Sequence, residues 1–599
     1  MTYLEFRRKI GISAIFSGFI SFGVSLLISN FKVNLPYFHF NTFLPEKLDG
    51  VSDIIYIDII KNILVVNSSI FLSYFLPTFF ISLFVAFKFN SKDEEVHKRG
   101  SKLLNFKDLK KEIYKYIKAN KDNFRLEVGK ELIPIPFSQE VKNTLIVGMV
   151  GSGKSQAIYN ILFGNFDKKG KKISKGIIDF KEPMIIYERK GDDFLGSLYR
   201  REKDLLFDPR DKDCIRWNIF QDMLNENNEI EENMVDFFVA SICPISDSKS
   251  AHFEEQGSSV IKALLLAVAG SGIASNKYLI DYIRAYPTPK ELREALINNE
   301  TVKKFGVDNQ VIGALTINSE GQLDNQGNSV FATCNKVFKN LSNRAFYYEE
   351  SDFSVRKFIK SLENEKTDIR LFIVNTSLSE GAYNTYFSLF FTLIFKHILS
   401  LKNSRNRRIH LILDELMSLA SNKNLGKFLI TKLIDTLAES RSKGLNTILA
   451  FQALSQLSEI VGENLLKSLF QMCGSKIILQ YSEPQGAKIL SQFLGEKEID
   501  RKKQGINRAN NLSGDRVNEN EEEKLKKIVL ESEFSNLEPL TGFIKVGNFA
   551  TSKISFNFYQ PKNIYGGLIK SEIPFFENFS KKEYEESEKI EENRSSFIA

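Results

Sequence analysis

Gly148-Met149-Val150-Gly151-Ser152-Gly153-Lys154-Ser155 is the first stretch of this chain whose residue types and spacing can do chemistry. It fits G-x-x-x-x-G-K-[ST]. Glycines in this pattern let backbone N–H groups turn inward onto phosphate, the lysine reaches the β/γ-phosphates, and the terminal hydroxyl can hold Mg²⁺. The bare pattern arises by chance in long chains. Here an apolar strand, Asn143 to Gly148, leads into it and a helical stretch leads out, the frame that the loop requires. Gly148, Gly151, Ser152, Gly153, Lys154, Ser155 and Gln156 are the candidate phosphate-binding residues, with ATP and Mg²⁺ as the implied ligands.

A second constellation closes the apolar run Ile409 to Leu413 with Asp414-Glu415. Acids after an apolar run are common at strand ends, but downstream of a P-loop they read as a Walker B pair. Asp414 would hold the Mg²⁺ shell opposite Ser155, and Glu415 would orient or deprotonate the attacking water. Gln452 ends the run Asn446 to Gln452 and is a candidate contact to the γ-phosphate or the water; the plain alternative is a strand-end glutamine. Arg441, in Glu439-Ser440-Arg441-Ser442, is either an arginine finger for a neighbouring subunit or a solvated arginine favoured by the end of a helix.

These side chains need a rigid frame. Six short apolar runs are predicted strands: Asn143–Gly148, Met184–Arg189, Leu371–Asn375, Ile409–Leu413, Asn446–Gln452 and Lys476–Tyr481. Nearly continuous β-branched runs separated by helical stretches predict an α/β fold with a parallel sheet covered on both faces. Residues 221–362 have helical periods and few strand signals, which predicts an all-α domain inserted into the α/β domain at 143–220 and 363–560. The apolar stretch Tyr386 to Leu401, interrupted by Lys396 and His397, reads as a buried core helix. Residues 91–142, lysine-rich and helical in pattern, read as a cytoplasmic stalk. Arg501 to Glu523 reads as a mobile loop, Thr541 to Tyr559 as a hairpin, and 561–599 as a flexible tail.

Residues 1–90 look like a membrane anchor. No charged residue occurs from Ile10 to Phe31 or from Asn62 to Phe87, and each run is long enough to span a bilayer. Arg7, Arg8 and Lys9 precede the first span, and Lys88, Lys92, Lys98, Arg99 and Lys102 follow the second. By the positive-inside rule both termini are cytoplasmic and the short 32–61 loop lies outside. The first run is too long for a typical signal-peptide core and lacks an obvious cleavage site. Asn67, Ser68, Ser69, Ser73 and Pro77 in the second suggest that the two helices pack together or against a partner. Elsewhere the composition is that of globular protein, and the net charge of +7 is compatible with nucleic acid or anionic lipid without requiring either. Cys214, Cys243, Cys334 and Cys473 lie far apart without metal-ligand spacing, so they read as reduced thiols.

Several motifs occur in a fixed order: "KRGSKLLNFKDLKK", "GMVGSGKS", "MIIYERKGDDF", "FDPRDKDCIRWNIF", "LILDELMSL" and "LAESRSKGLNTILAFQALSQLSEIVGENLLKSLFQMC". In these the chain resembles the type IV secretion coupling proteins, specifically the TraD branch of conjugative DNA transfer, from the anchor to about Tyr559. The resemblance implies a RecA-like P-loop ATPase domain with an inserted all-α domain and two spans in the bacterial inner membrane. It also implies a homo-hexamer around a channel, ATP-driven transfer of a relaxase–DNA substrate, and secretion-channel proteins as partners. Phosphate and Mg²⁺ roles carry over to Gly153, Lys154, Ser155 and Asp414, the catalytic acid to Glu415, the glutamine motif to Gln452 and the proposed finger to Arg441. Two features depart from the family: Glu188 stands where many relatives have Asp, and the tail is short. The competing readings are a translocase like FtsK or HerA, and a non-hydrolysing membrane receptor or scaffold. An FtsK-like chain would bring more spans and a winged-helix DNA reader, and a scaffold would be expected to lose one of Lys154, Asp414 and Glu415.

Overall fold

The computed structural model describes scattered residues between 14 and 84 and then residues 96–576, apart from short interior stretches that include 377–380, 416–417, 419–422 and 508–515. The expected external loop, most of both expected spans and residues 577–599 lie outside the described residues. Among the described residues, no helix is long and apolar enough to cross a membrane. Two compact units divide the chain: residues 1–98 with 498–524, and residues 99–497 with 525–599.

In the smaller unit the two apolar runs touch where they are described: Ser17 Oγ lies 3.1 Å from Thr78 Oγ1, and Ser17 is fully buried. Glu496–Asn507 forms the middle strand of a three-stranded sheet between Val96–Gly100 and Arg516–Lys527. The expected mobile loop at 501–523 is thereby corrected to two long strands and their connection. Their sequences are mostly polar, with only Ile499, Ile506, Val517 and Leu525 apolar, so the apolar alternation that announces a strand is missing.

The larger unit is built on a ten-stranded sheet. Its strands in chain order are β1 (Leu103–Leu104), β2 (Thr144–Val147), β3 (Met184–Glu188), β4 (Leu205–Phe207), β5 (Arg370–Val374), β6 (Ile409–Asp414), β7 (Leu445–Phe451), β8 (Ser475–Leu479), β9 (Thr541–Lys545) and β10 (Thr551–Ser555). Their spatial order is β1-β10-β9-β8-β2-β7-β6-β3-β5-β4. The seven strands from β8 to β4 are parallel. The β9–β10 hairpin extends them antiparallel. β3, β5, β6, β7 and β8 are buried at every position. That is the signature of strands covered on both faces. Side chains divide with period two. Leu145, Val147, Ile185, Tyr187, Leu411 and Leu413 enter one core, while Ile146, Ile186, Ile412 and Phe372 enter the other.

Between β4 and β5 the helices of the insertion follow one another, among them Glu232–Ile242, Ala251–Ala269, Asn276–Ala285, Pro289–Asn298 and Asn325–Leu341. Their starts follow local chemistry. Thr288 accepts from Glu291 N, Glu291 returns a carboxylate to Thr288 N, and Pro289 occupies the first turn. These helices share the first core with the sheet, joined through Asn384–Ser400, a buried core helix between β5 and β6.

Two further expectations are corrected. The stalk at 91–142 is in large part body: helix Phe106–Ala119 buries Leu109 and Ile113, and the hairpin Phe124–Val128/Ile133–Pro136 buries Leu126, Val128 and Ile133 in the second core. Leu109 and Ile113, four apart, form a narrow apolar stripe that the surrounding lysines conceal in sequence. The tail expected to be flexible is pinned as far as Phe576. Ile564 N and Tyr565 N donate to Gly196 O at 2.7 and 3.2 Å. Tyr565 OH bonds Asp211. Arg344 Nε donates to Pro574 O at 2.9 Å, and its guanidinium lies 4.1 Å from the Phe575 ring.

His397 should make the stability of this core depend on pH. Its ring is buried among Asp222, Glu231, Arg356 and Lys396, and its Nε2 has no described partner. Burial pushes its pKa down to about 4, below the ordinary imidazole value. The unfolded chain therefore takes up this proton first as pH falls, and stability is lost on acidification from neutral pH towards the folded value. The loss between pH 7 and 5 is on the order of 2 kcal/mol. His397→Leu should flatten melting temperature against pH over that range; an unchanged slope would show that other groups set it.

Candidate nucleotide site

The P-loop leaves the C-terminal end of β2 and enters helix Lys154–Phe163. Three neighbouring segments hold its shape. Gly148 N donates to Phe451 O at 3.2 Å, Met149 N to Gln480 O at 3.0 Å, and Leu540 N to Ser152 O at 2.9 Å. Two glycines are required by geometry. A Cβ at Gly148 would stand 2.3 Å from Ser152 Oγ, and one at Gly153, whose φ is +99°, would stand 2.6 Å from Leu540 Cδ2. The first amides of the following helix have no intrahelical acceptor and carry the positive end of its dipole, so the loop presents donors to an anion.

Lys154 is buried, with Nζ 3.3 Å from Glu415 Oε2 and 3.6 Å from Asp414 Oδ1. Asp414 ends β6, and its carboxyl pKa is raised, first by burial and then by Glu415 and Asp193, against the pull of Lys154 and Lys190. Asp414 Oδ1 and Ser152 Oγ are buried with no hydrogen-bond partner among the described residues. Glu415 follows with φ +65°, a left-handed conformation uncommon outside glycine. The register pairs Ala450 with Asp414 and Phe451 with Val147, so Gln452 comes next, level with Gly148 and one residue beyond the level of Glu415. Ser155 is half-buried on the first turn of the P-loop helix. Lys154, Ser155, Asp414, Glu415 and Gln452 thus converge where β2, β6 and β7 end.

Two sequence-predicted residues have side chains engaged away from this cluster. The side chain of Gln156 accepts from Tyr559 N at 2.7 Å and holds the C-terminal chain, which leaves its main-chain N–H in the first turn of the P-loop helix as its available link to phosphate. Arg441 lies in the turn Ser440–Lys443 before β7, at the end of the sheet opposite the P-loop. Seven residues of strand, about 3.3 Å each, separate it from its own site. It is exposed and lines a concavity of about 760 Å³ with Arg405 and Arg408. Its side chain pairs with nothing among the described residues, and it stands away from the P-loop of its own chain.

Glu188 ends β3 beside β6. Its Oε2 accepts from Phe194 N at 2.6 Å and Leu195 N at 3.1 Å. Burial, with Asp193 and Asp414 adding to it, pushes its carboxyl up to about 8. It pins the turn after β3. Sequence reading missed Leu540, which roofs the loop from the turn before β9 almost four hundred residues downstream, and Ser418, which bonds the main chain of Glu415. No local pattern marks either of them.

A triphosphate with Mg²⁺ fits these residues. The glycine-built cradle, the buried Lys154 and the Asp414 oxygen that faces it without a hydrogen bond each match a part of it. Among the described residues no group of three or more His, Cys, Asp or Glu could hold a metal alone. A cation here would rely on phosphate oxygens, as Mg²⁺ commonly does.

Comparison with known proteins places the chain in a family. The chain is 20% identical over 506 residues to the coupling protein TraD of Escherichia coli (strain K12), covering 84% of this chain and 64% of that relative. Its fold is similar to the bacterial conjugative coupling protein TrwBdeltaN70 in an unbound form, with a TM-score of 0.61 and 19% identity over 80% of this chain and 97% of that one. It is also similar to the plasmid coupling protein TrwB in complex with ADP and Mg²⁺, with a TM-score of 0.60 and 20% identity over 79% of this chain and 98% of that one. The profile of the type IV secretion-system coupling protein DNA-binding domain matches residues 125–557, most of the chain, and on that match the chain belongs to the type IV secretion-system coupling proteins, of the TraD type.

Proposed function

We propose that this chain is a membrane-anchored hexameric ATPase that couples a relaxase–DNA substrate to a type IV secretion channel and drives its translocation by hydrolysing ATP. The observation that carries the reading is Lys154 held between Asp414 and Glu415 at the mouth of a glycine-built phosphate cradle. TrwB, whose fold this chain shares, has been solved with ADP and Mg²⁺ and with ADPNP. The chain spans 64% of the length of its TraD relative, so that protein's full set of partners is part of the proposal.

Each residue has a task. Lys154 exchanges the carboxylates for the β/γ-phosphates when nucleotide enters. That exchange releases Glu415 from its ion pair to orient the water and accept its proton. Ser155 and Asp414 would hold Mg²⁺, which when bound neutralises charge on the phosphate oxygens. Gln452 contacts the γ-phosphate or the water, and Arg441 serves the neighbouring subunit's nucleotide. The apolar runs at 10–31 and 62–87 anchor the protein in the inner membrane with both termini cytoplasmic; the Ser17–Thr78 contact supports pairing of the two helices.

Mating tests the function. Donor cells lacking this chain should transfer no plasmid DNA. The wild-type gene should restore transfer and Lys154→Ala should not, while reporters that need an oxidising compartment should be active only in the 32–61 loop. Normal transfer with Lys154→Ala would remove ATP hydrolysis from the role.

A further inference from the structure

The left-handed backbone of Glu415 has a support of its own. Ser418 N donates to Glu415 O at 3.1 Å, and Ser418 Oγ lies 3.2 Å from the same oxygen. Ser418 Oγ also bonds Tyr187 OH, from the middle of β3. One consistent set of protons satisfies this chain: Tyr187 donates to Ser418, which donates to Glu415 O. On its other side Ser418 O accepts from Asn384 Nδ2 at 3.1 Å. Asn384 Oδ1 in turn accepts from Asn375 Nδ2 at 3.0 Å and from Gly381 N at 3.3 Å. Tyr187, Ser418, Asn384 and Asn375 are all buried.

Asn384 opens helix Asn384–Ser400, and that helix reaches the insertion. Tyr386 OH donates to Leu341 O at 2.8 Å, and Thr392 Oγ1 donates to Ser241 Oγ at 3.3 Å. A non-glycine residue in the left-handed region persists only where its surroundings over-determine it. Here Glu415 N donates to Ala450 O at 3.4 Å, and the carbonyl side is held by one serine, fixed from two sides by neighbouring elements of the sheet and core. The twist they hold directs the Glu415 carboxylate at Lys154.

We infer that Ser418 and Asn384, with Tyr187, are positioning residues for Glu415, and that they tie its placement to the core helix shared with the insertion. The inference rests on the reading of Glu415 as the hydrolytic base. It assigns Ser418 and Asn384 no contact with nucleotide, so their loss should misplace the base without loosening the ligand.

The test is steady-state ATP hydrolysis by the full-length protein, with ADPNP affinity measured alongside. Ser418→Ala removes a single hydroxyl and keeps the main-chain bond; Tyr187→Phe removes the same link from its other end. Each should leave ADPNP affinity within about twofold and lower kcat at least about tenfold, because small misplacements of a reacting group are costly. In a Glu415→Gln background Ser418→Ala should cost nothing more, since no base remains to be placed. Asn384→Ala empties an amide with three partners among the described residues; where it fails to bind ADPNP, Ser418→Ala alone carries the test. A wild-type kcat for Ser418→Ala, equal losses in both backgrounds, or a parallel loss of ADPNP affinity would each overturn the inference. If Glu415→Gln itself turned over normally, the base assignment would fall first and take the inference with it.

Discussion

A preparation of Lys154→Ala subunits and a preparation of Arg441→Ala subunits, each inactive alone, should regain ATPase activity when mixed. Arg441 stands across the whole of β7 from its own P-loop, so it can complete a site only in another chain. In a mixed ring an Arg441→Ala subunit keeps an intact P-loop and can receive Arg441 from a Lys154→Ala neighbour. With Lys154→Ala in excess, most intact sites acquire such a neighbour. The recovered rate can be large, because arginine fingers contribute about 10³–10⁵ in related phosphoryl-transfer enzymes. DNA should raise it further by favouring the closed ring. If Arg441 is only a solvated turn residue, Arg441→Ala alone will hydrolyse ATP near the normal rate and mixing will add nothing. Titrating the two preparations against each other, with and without DNA, separates these outcomes.

Glu415→Gln should bind ATP and turn it over slowly. The substitution keeps shape and hydrogen-bonding capacity but removes the carboxylate that takes the proton, and general-base catalysis contributes about 10²–10⁴-fold. Lys154→Ala acts at another step. It removes the buried cation 3.3 Å from Glu415 and 3.6 Å from Asp414, leaving two carboxylates facing each other and the incoming phosphates. Its loss should appear in nucleotide affinity as well as in rate. Equilibrium binding of ADPNP beside single-turnover hydrolysis distinguishes the two. Wild-type turnover by Glu415→Gln would end the Walker B assignment.

Much of this site was legible in the sequence because its parts are short and local. Gly148 to Ser155 carries its own geometry, and Asp414-Glu415 is recognisable once a P-loop precedes it. The six apolar runs read as strands are β2, β3, β5, β6, β7 and β8, since strands buried on both faces need continuous apolar sequence. β4, three residues long, and β1, two residues long, are too short to show a period. The strands at 496–507 and 516–527 are too polar to show one. The supports of the site were hidden for another reason. Tyr187 and Ser418 are 231 positions apart, and only the placement of β3 beside β6 brings them together. Leu540 reaches the P-loop because the β9–β10 hairpin extends the same sheet. Side chains that act through sheet order leave no spacing to read. Gln156 shows the converse: its place in the motif suggested phosphate, and a main-chain amide at Tyr559 claims its side chain.

The segment from Asn563 to Phe576 bears on how the molecule is made. It runs from Gly196 past Asp211 and ends on the insertion, where Arg344 takes the carbonyls of Ile573 and Pro574 and the ring of Phe576 meets Arg284 and Tyr347. Those partners are all synthesised long before the residues that clasp them. β2 likewise waits for β7 and β8, its neighbours on either side, which come some three hundred residues later in the chain. At about 5–20 residues per second, an emerging chain spends on the order of tens of seconds with its P-loop strand unflanked and its insertion unclasped. The P-loop strand is therefore exposed until β7 and β8 have emerged, and the clasp on the insertion closes only once residues 563–576 have left the ribosome.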